Sequence, residues 1–119
     1  MPKAVVLDSN ALMMPFQFRV NLDNELTRLF GEVPVFVPSS VLSELAAIED
    51  KKARPALQLA RKYRIVETEL RGDNAVLDVA VKREAAVVTN DKELIRRVRE
   101  AHLPVVRLRG ERFLVCDEF

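Results

Sequence analysis

Ala4-Val5-Val6-Leu7-Asp8-Ser9-Asn10 decides how the chain is read. Four apolar residues in a row, too few for a helix, predict a strand buried on both faces. Strands of that kind belong to parallel sheets covered by helices on either side. An acid then follows directly. A carboxylate at the end of a buried strand is costly unless it gains a partner or a cation. In open parallel sheets ligands bind just beyond the carboxyl ends of the strands. Asp8 therefore stands where such a fold places its chemistry.

Working outward, strands and helices alternate. Ala11 to Phe18 has apolar residues at helical spacing, interrupted by Pro15, and Leu22, Leu26, Leu29 and Phe30 form a second helical stripe that Gly31 ends. Val33 to Val37 predicts strand two. Pro38-Ser39-Ser40 opens a helix whose buried face is expected to be Val41, Leu42, Leu45 and Ile48. A helix lined by Ala56, Leu57, Leu59, Ala60 and Tyr63 leads to a short third strand at Ile65-Val66. After a polar loop around Gly72, Val76, Leu77, Ala80 and Val81 are expected on the inner side of the next helix. Ala85 to Thr89 is a second continuously apolar strand. Asn90 is expected to cap the helix after it, with Glu93 completing a capping box. Pro104 to Leu108 is strand five, and Phe113-Leu114-Val115 is either an edge strand or a packed tail. The alternation implies right-handed crossovers. The expected fold is a three-layer α/β/α sandwich around a mainly parallel five-stranded sheet, with strands one and four adjacent, and residues 1–119 forming one domain.

Scarcity narrows the chemistry. Cys116 is the sole cysteine and His102 the sole histidine, which excludes an internal disulfide and a cysteine zinc site and disfavours serine–histidine hydrolysis. The glycines, Gly31, Gly72 and Gly110, lie far apart, so neither a dinucleotide fingerprint nor a phosphate-binding loop is present. No apolar run approaches the ~20 residues of a membrane span. The beginning of the chain lacks the pattern of a signal peptide. The expectation is a cytoplasmic protein without membrane contact.

Carboxylates are the material that remains. Strand one delivers Asp8, strand four delivers Thr89-Asn90-Asp91, the helix after strand two carries Glu44, and the loop after strand three leads to Asp73. All four acids are expected at one edge of the sheet. Packed together they repel, which raises and couples their pKa values. A divalent cation removes that repulsion, and oxygen-only ligands favour Mg2+ or Mn2+ over zinc. Such a site lowers the pKa of a water and neutralises charge on a phosphodiester, with one ion or with two about 3.5–4 Å apart. The expected chemistry is metal-assisted phosphodiester hydrolysis.

Four stretches resemble the motifs of PIN domains, in the family's order: Val6-Leu7-Asp8-Ser9-Asn10-Ala11-Leu12, Ser40-Val41-Leu42-Ser43-Glu44-Leu45, Gly72-Asp73-Asn74-Ala75-Val76-Leu77-Asp78-Val79-Ala80 and Val88-Thr89-Asn90-Asp91-Lys92-Glu93-Leu94. The resemblance implies a magnesium- or manganese-dependent ribonuclease. Asp8, Glu44, Asp73 and Asp91 would hold metal, while Ser9, Asn10 and Thr89 would orient ligands or waters. Asp73 is preferred to Asp78 because it lies three residues before Val76 and seven before Ala80. Two branches compete: VapC toxins, silenced by an antitoxin, and nucleases that process the ribosomal RNA of the small subunit, whose partners belong to ribosome assembly. The stretch from Thr89 to Arg99 with Leu103-Pro104-Val105 looks more like the second. The resemblance also implies that homodimers are common.

Other readings make different demands. A haloacid dehalogenase-like phosphatase needs an acid two positions after Asp8, where Asn10 stands. A receiver domain needs an acid pair after strand one. A catalytically silent PIN-like module that binds RNA or protein would bind no manganese. Lys and Arg number 19 against 18 Asp and Glu, for a net charge of +1; without the four clustered acids the remaining fourteen leave +5. That bias suits one phosphate-contacting patch. Glu93 with Arg97 fits an ordinary i,i+4 pair. His102 is expected at a helix C-terminus. With six Phe, one Tyr and no Trp, extensive base stacking is not expected.

Overall fold

The computed structural model describes residues 1–117. Its elements, in chain order, are β1 (Ala4–Leu7), α1 (Ser9–Gln17), α2 (Leu22–Phe30), β2 (Val35–Pro38), α3 (Ser39–Ala47), α4 (Ala53–Ala60), β3 (Arg64–Val66), α5 (Gly72–Arg83), β4 (Ala85–Val88), α6 (Lys92–Glu100), β5 (Val105–Arg109) and β6 (Phe113–Asp117). The sheet order is β3-β2-β1-β4-β5-β6, parallel except for the β5–β6 pair. The expected sandwich holds, with six strands rather than five. Phe113 to Asp117 is an antiparallel edge strand on β5, in the register Leu108 with Leu114.

The two wholly apolar strands are the centre. Every residue of β1 and β4 is buried, and they pair along their full length from Ala4 with Ala85 to Leu7 with Val88. Connections run outward from this pair in opposite directions, β1 to β2 on one side and β4 to β5 on the other. The right-handed crossover rule then puts α1 to α4 on one face and α5 and α6 on the other. α5 packs across β1, β2 and β4, while α1, α3 and α4 pack on one another.

Helix ends follow side-chain chemistry. Asn21 Oδ1 accepts the amide of Asn24 (3.1 Å) to start α2, and Gly31, at φ 72° and ψ −147°, ends it. α1 runs through Pro15 and stops two residues later. α5 begins at Gly72 itself, so the polar loop before it is shorter than expected.

Several expectations are corrected. Ile48 follows the last turn of α3 and is exposed, because that helix ends at Ala47. The inner face of α5 is Ala75, Val76, Val79 and Ala80; Val81 is exposed. A stripe that includes position 79 leaves position 81 about 160° away on the opposite side of the helix. Asp91, not Asn90, caps α6: its Oδ1 accepts the amides of Glu93 (2.9 Å) and Leu94 (3.1 Å). Glu93 pairs with Arg96 instead of Arg97. His102 sits past the end of α6 in the left-handed region, φ 60°, with its amide donating to Arg99 O (3.0 Å).

No atom lies within 4 Å of a Cβ added at Gly31, so substitution there tests backbone conformation alone. Gly31→Ala is expected to lower stability by about 1–3 kcal/mol, read as a drop in urea midpoint at unchanged slope; an unchanged midpoint would contradict the backbone assignment.

Candidate active site at the carboxyl edge of the sheet

The β1–β4 register builds the site. Leu7 and Val88 are opposite one another, so the residues after them, Asp8 and Thr89, emerge side by side. Both are buried. Thr89 Oγ1 donates to Asp8 Oδ2 (2.5 Å), and the Ala11 amide donates to Asp8 Oδ1 (2.7 Å). Asp8 thus ends the central strand and caps α1 in one position. Thr89 Oγ1 also accepts the Asp91 amide (3.0 Å), fixing the turn that carries the second acid.

Two asparagines brace this turn. Asn10 Oδ1 accepts the Asn90 amide (2.8 Å), and Asn90 Oδ1 accepts the Leu108 amide on β5 (2.9 Å). The side chain of Asn90 is therefore taken up by the sheet, which explains why Asp91 caps α6 in its place. Ser9 is half-buried in the first turn of α1, with no side-chain hydrogen bond among the described residues.

The other acids arrive from opposite faces. Glu44 lies in the second turn of α3 and Asp73 in the first turn of α5. The four interact through their charges. Burial raises the Asp8 carboxyl to about 7, against the two hydrogen bonds that favour its ionised form, and the charges of Asp73 and Asp91 push the same way. Burial also raises Glu44, helped by Asp73. Asp73 is raised by burial and by Asp91, with the Arg97 guanidinium opposing. Among the described residues none of the four acids forms a salt bridge. Asp78, the competitor in the third motif, is ion-paired with Lys82 (3.1 Å).

The donors are all oxygens, the kind a hard divalent cation takes. Glu44 Oε2 is buried without a hydrogen-bond partner, an expensive state for a carboxylate oxygen. Asp91 uses only Oδ1 in capping α6. As the side chains stand, no three acids, histidines or cysteines among the described residues chelate a common point. What the acids share is a field.

Reading residues one at a time missed two features. Ser40 Oγ is buried and unpartnered; the signal was its i,i+4 spacing to Glu44, which puts both on one helix face. Arg97 reaches back from α6 to donate to Asn74 Oδ1 (2.7 Å) beside Asp73, a contact between elements that no local pattern carries.

The profile of a family described as PIN like domain matches residues 5–111. The chain belongs to the PIN-like domain family. Ribonuclease VapC9 of Archaeoglobus fulgidus is 32% identical over 117 residues, covering 92% of this chain and 86% of that protein. Ribonuclease VapC4 of Methanocaldococcus jannaschii is 30% identical over 121 residues, covering 92% of each. A solved structure of the PIN domain endonuclease Utp24 superposes with a TM-score of 0.83, 21% identity and coverage of 99% and 93%, a likeness of fold.

The elevated Asp8 pKa has a sign that can be checked. Its folded value of about 7 exceeds the ordinary 3.8, so the folded state binds the extra proton in between, and stability falls as pH rises from about 4 to about 7. Glu44 and Asp73 shift the same way. Asp23, Glu25 and Asp117 are lowered by cationic partners and lose their contribution only as pH falls below the usual carboxylate range. In EDTA the melting temperature is expected to drop from pH 5 to pH 8, and Asp8→Asn to flatten that drop, with the variant about 1–3 kcal/mol more stable than the parent at pH 8. Equal slopes for the two proteins would refute the assignment.

Proposed function

We propose that this protein is a divalent-metal-dependent endoribonuclease, with Asp8, Glu44, Asp73 and Asp91 as metal-holding acids. The observation that carries the reading is electrostatic. Asp8 is buried in the field of Asp73 and Asp91, and Glu44 beside Asp73 keeps an unpartnered buried oxygen. Among the described residues no lysine or arginine forms a salt bridge to any of these acids, so an external cation is the natural counter-charge. Hard oxygen donors favour Mg2+ or Mn2+. When held there, such an ion supplies neutralisation of charge on the phosphodiester and activation of the attacking water.

The remaining work falls to the chain. Thr89 fixes the rotamer of Asp8 through its hydroxyl and steadies Asp91 through that residue's amide. Asn10 and Asn90 hold the turn against β5, so Asp91 cannot drift from Asp8. Asp91 keeps one oxygen for α6 and leaves the other for a ligand. Arg97, tied to Asn74, opposes the rise that burial and Asp91 impose on the Asp73 carboxyl. In the hydrolysis a water oxygen bonds to phosphorus and the bond from phosphorus to one ribose oxygen breaks, with no covalent enzyme intermediate. Ser9 is assigned to orienting water or substrate.

Both curated relatives carry the name VapC, which supports the VapC-type reading over the ribosomal-RNA processing role that the Thr89 to Arg99 stretch resembles. The substrate is then RNA, and an antitoxin is the partner. Among the described residues no helix is long and apolar enough to cross a membrane.

Incubation with total RNA and manganese, followed by mapping of fragment ends, tests this directly. Cleavage should vanish in EDTA, and Asp8→Asn should lose roughly 100-fold or more activity while keeping the parent circular dichroism spectrum. A variant that cuts as fast as the parent sinks the assignment. Broad or transfer-RNA cleavage supports the toxin; discrete ends in ribosomal precursor support processing.

A further inference from the structure

We propose that the cleft between α3 and the β3–α5 connection is a nucleobase subsite that takes one unpaired, amino-bearing base, guanine best, from the RNA strand being cut; this rests on the ribonuclease reading above. The cleft encloses about 580 Å³. That is within the size range of small-ligand sites. One wall is Ser40, Ser43 and Glu44; the other includes Glu67, Glu69 and Leu70. Glu44 is shared with the carboxylate cluster, so an occupant of the cleft is an immediate neighbour of the reacting phosphate.

The walls are held in place before anything binds. Ser39 Oγ donates to Thr68 O (3.3 Å) and accepts the Thr68 amide (3.0 Å), stitching the connection to the start of α3. Thr68 Oγ1 in turn accepts the Leu70 amide (3.0 Å). Ser39 is thereby satisfied, whereas its neighbour Ser40 has a buried hydroxyl with no partner. A buried hydroxyl left without a bond costs stability unless a ligand completes it.

The chemistry of the lining selects the occupant. Three glutamates face a single cation, Arg71. That balance repels a phosphate and welcomes hydrogen-bond donors. Among the described residues neither Glu67 nor Glu69 forms a salt bridge. Carboxylates accept from the amino groups of cytosine and adenine, and the adjacent ring N–H and amino group of guanine offer one carboxylate two parallel donors. Uracil has no amino group. Leu70, 44% exposed, supplies an apolar surface for the face of the base. Single-stranded RNA is read in this way, through splayed bases held at their Watson–Crick edges.

The test uses the intact protein and two readouts. Titration with GMP, CMP and UMP without metal, followed by amide chemical shifts, should move Ser40, Ser43, Thr68 and Leu70, with UMP roughly 10-fold weaker than GMP. Short oligoribonucleotides that differ only in the base beside the cut should show the same order in cleavage rate. The double variant Glu67→Ala with Glu69→Ala should erase the difference between guanine and uracil in both binding and cleavage rate, while its circular dichroism spectrum stays that of the parent. Equal shifts from GMP and UMP, no shifts at these amides, or a base preference that survives the double variant each overturn the subsite. Cleavage without base preference removes the subsite and leaves the nuclease; selective GMP binding without cleavage keeps the subsite and removes the nuclease.

Discussion

The structure depends on one buried carboxylate. Asp8 ends the central strand, starts the first helix and receives a hydroxyl from the neighbouring strand, all within the same few atoms. The β1–β4 register sets this arrangement, because shifting it by one residue would pair Asp8 with an apolar side chain and leave its Oδ2 unsatisfied in the core. The two hydrogen bonds fix the side chain but do not neutralise it. Burial and the neighbouring acids keep its pKa far above that of an ordinary aspartate. Helix capping and a raised carboxyl pKa are thus properties of one side chain.

From this point the site reads as a set of braces around an electrostatic conflict. Asn10, Thr89 and Asn90 are neutral and use side-chain oxygens to hold backbone amides or Asp8. They fix Asp8 and the turn that carries Asp91 without cancelling the charge of either acid. Arg97 is the closest approach to an internal counter-ion, yet its hydrogen bond goes to Asn74, and it acts on Asp73 only through its field. The family membership and the geometry meet at this edge of the sheet, where the four PIN-like motifs converge.

Much of this was legible in the residues. Ala4 to Leu7 and Ala85 to Val88 announced themselves as doubly buried strands, and their expected adjacency is what the structure shows. The placement of Asp8 followed from the abrupt change from apolar to acidic. What escaped was of two kinds. Val81 and Ile48 were misplaced because a helical stripe read from few residues tolerates an error in phase, and because a helix end is not marked when no capping side chain is present. The roles of Asn90, Arg97 and Ser40 depend on partners 18, 23 or more residues away, or on the lack of any partner, and spacing along the chain encodes neither. The sixth strand was ambiguous for a related reason: Phe113-Leu114-Val115 is short, and only β5 gives it a pattern.

That strand shapes how the protein can meet others. The outward amide and carbonyl of Leu114 are both taken, the amide by Glu25 Oε1 and the carbonyl by Arg28 Nη2 of α2 (2.8 and 2.7 Å). At the opposite border β3 is three residues long and carries Arg64. Short, charged or occupied borders resist annealing to a further strand. A protein docking here is steered away from backbone zippering and toward side-chain recognition on helices and loops.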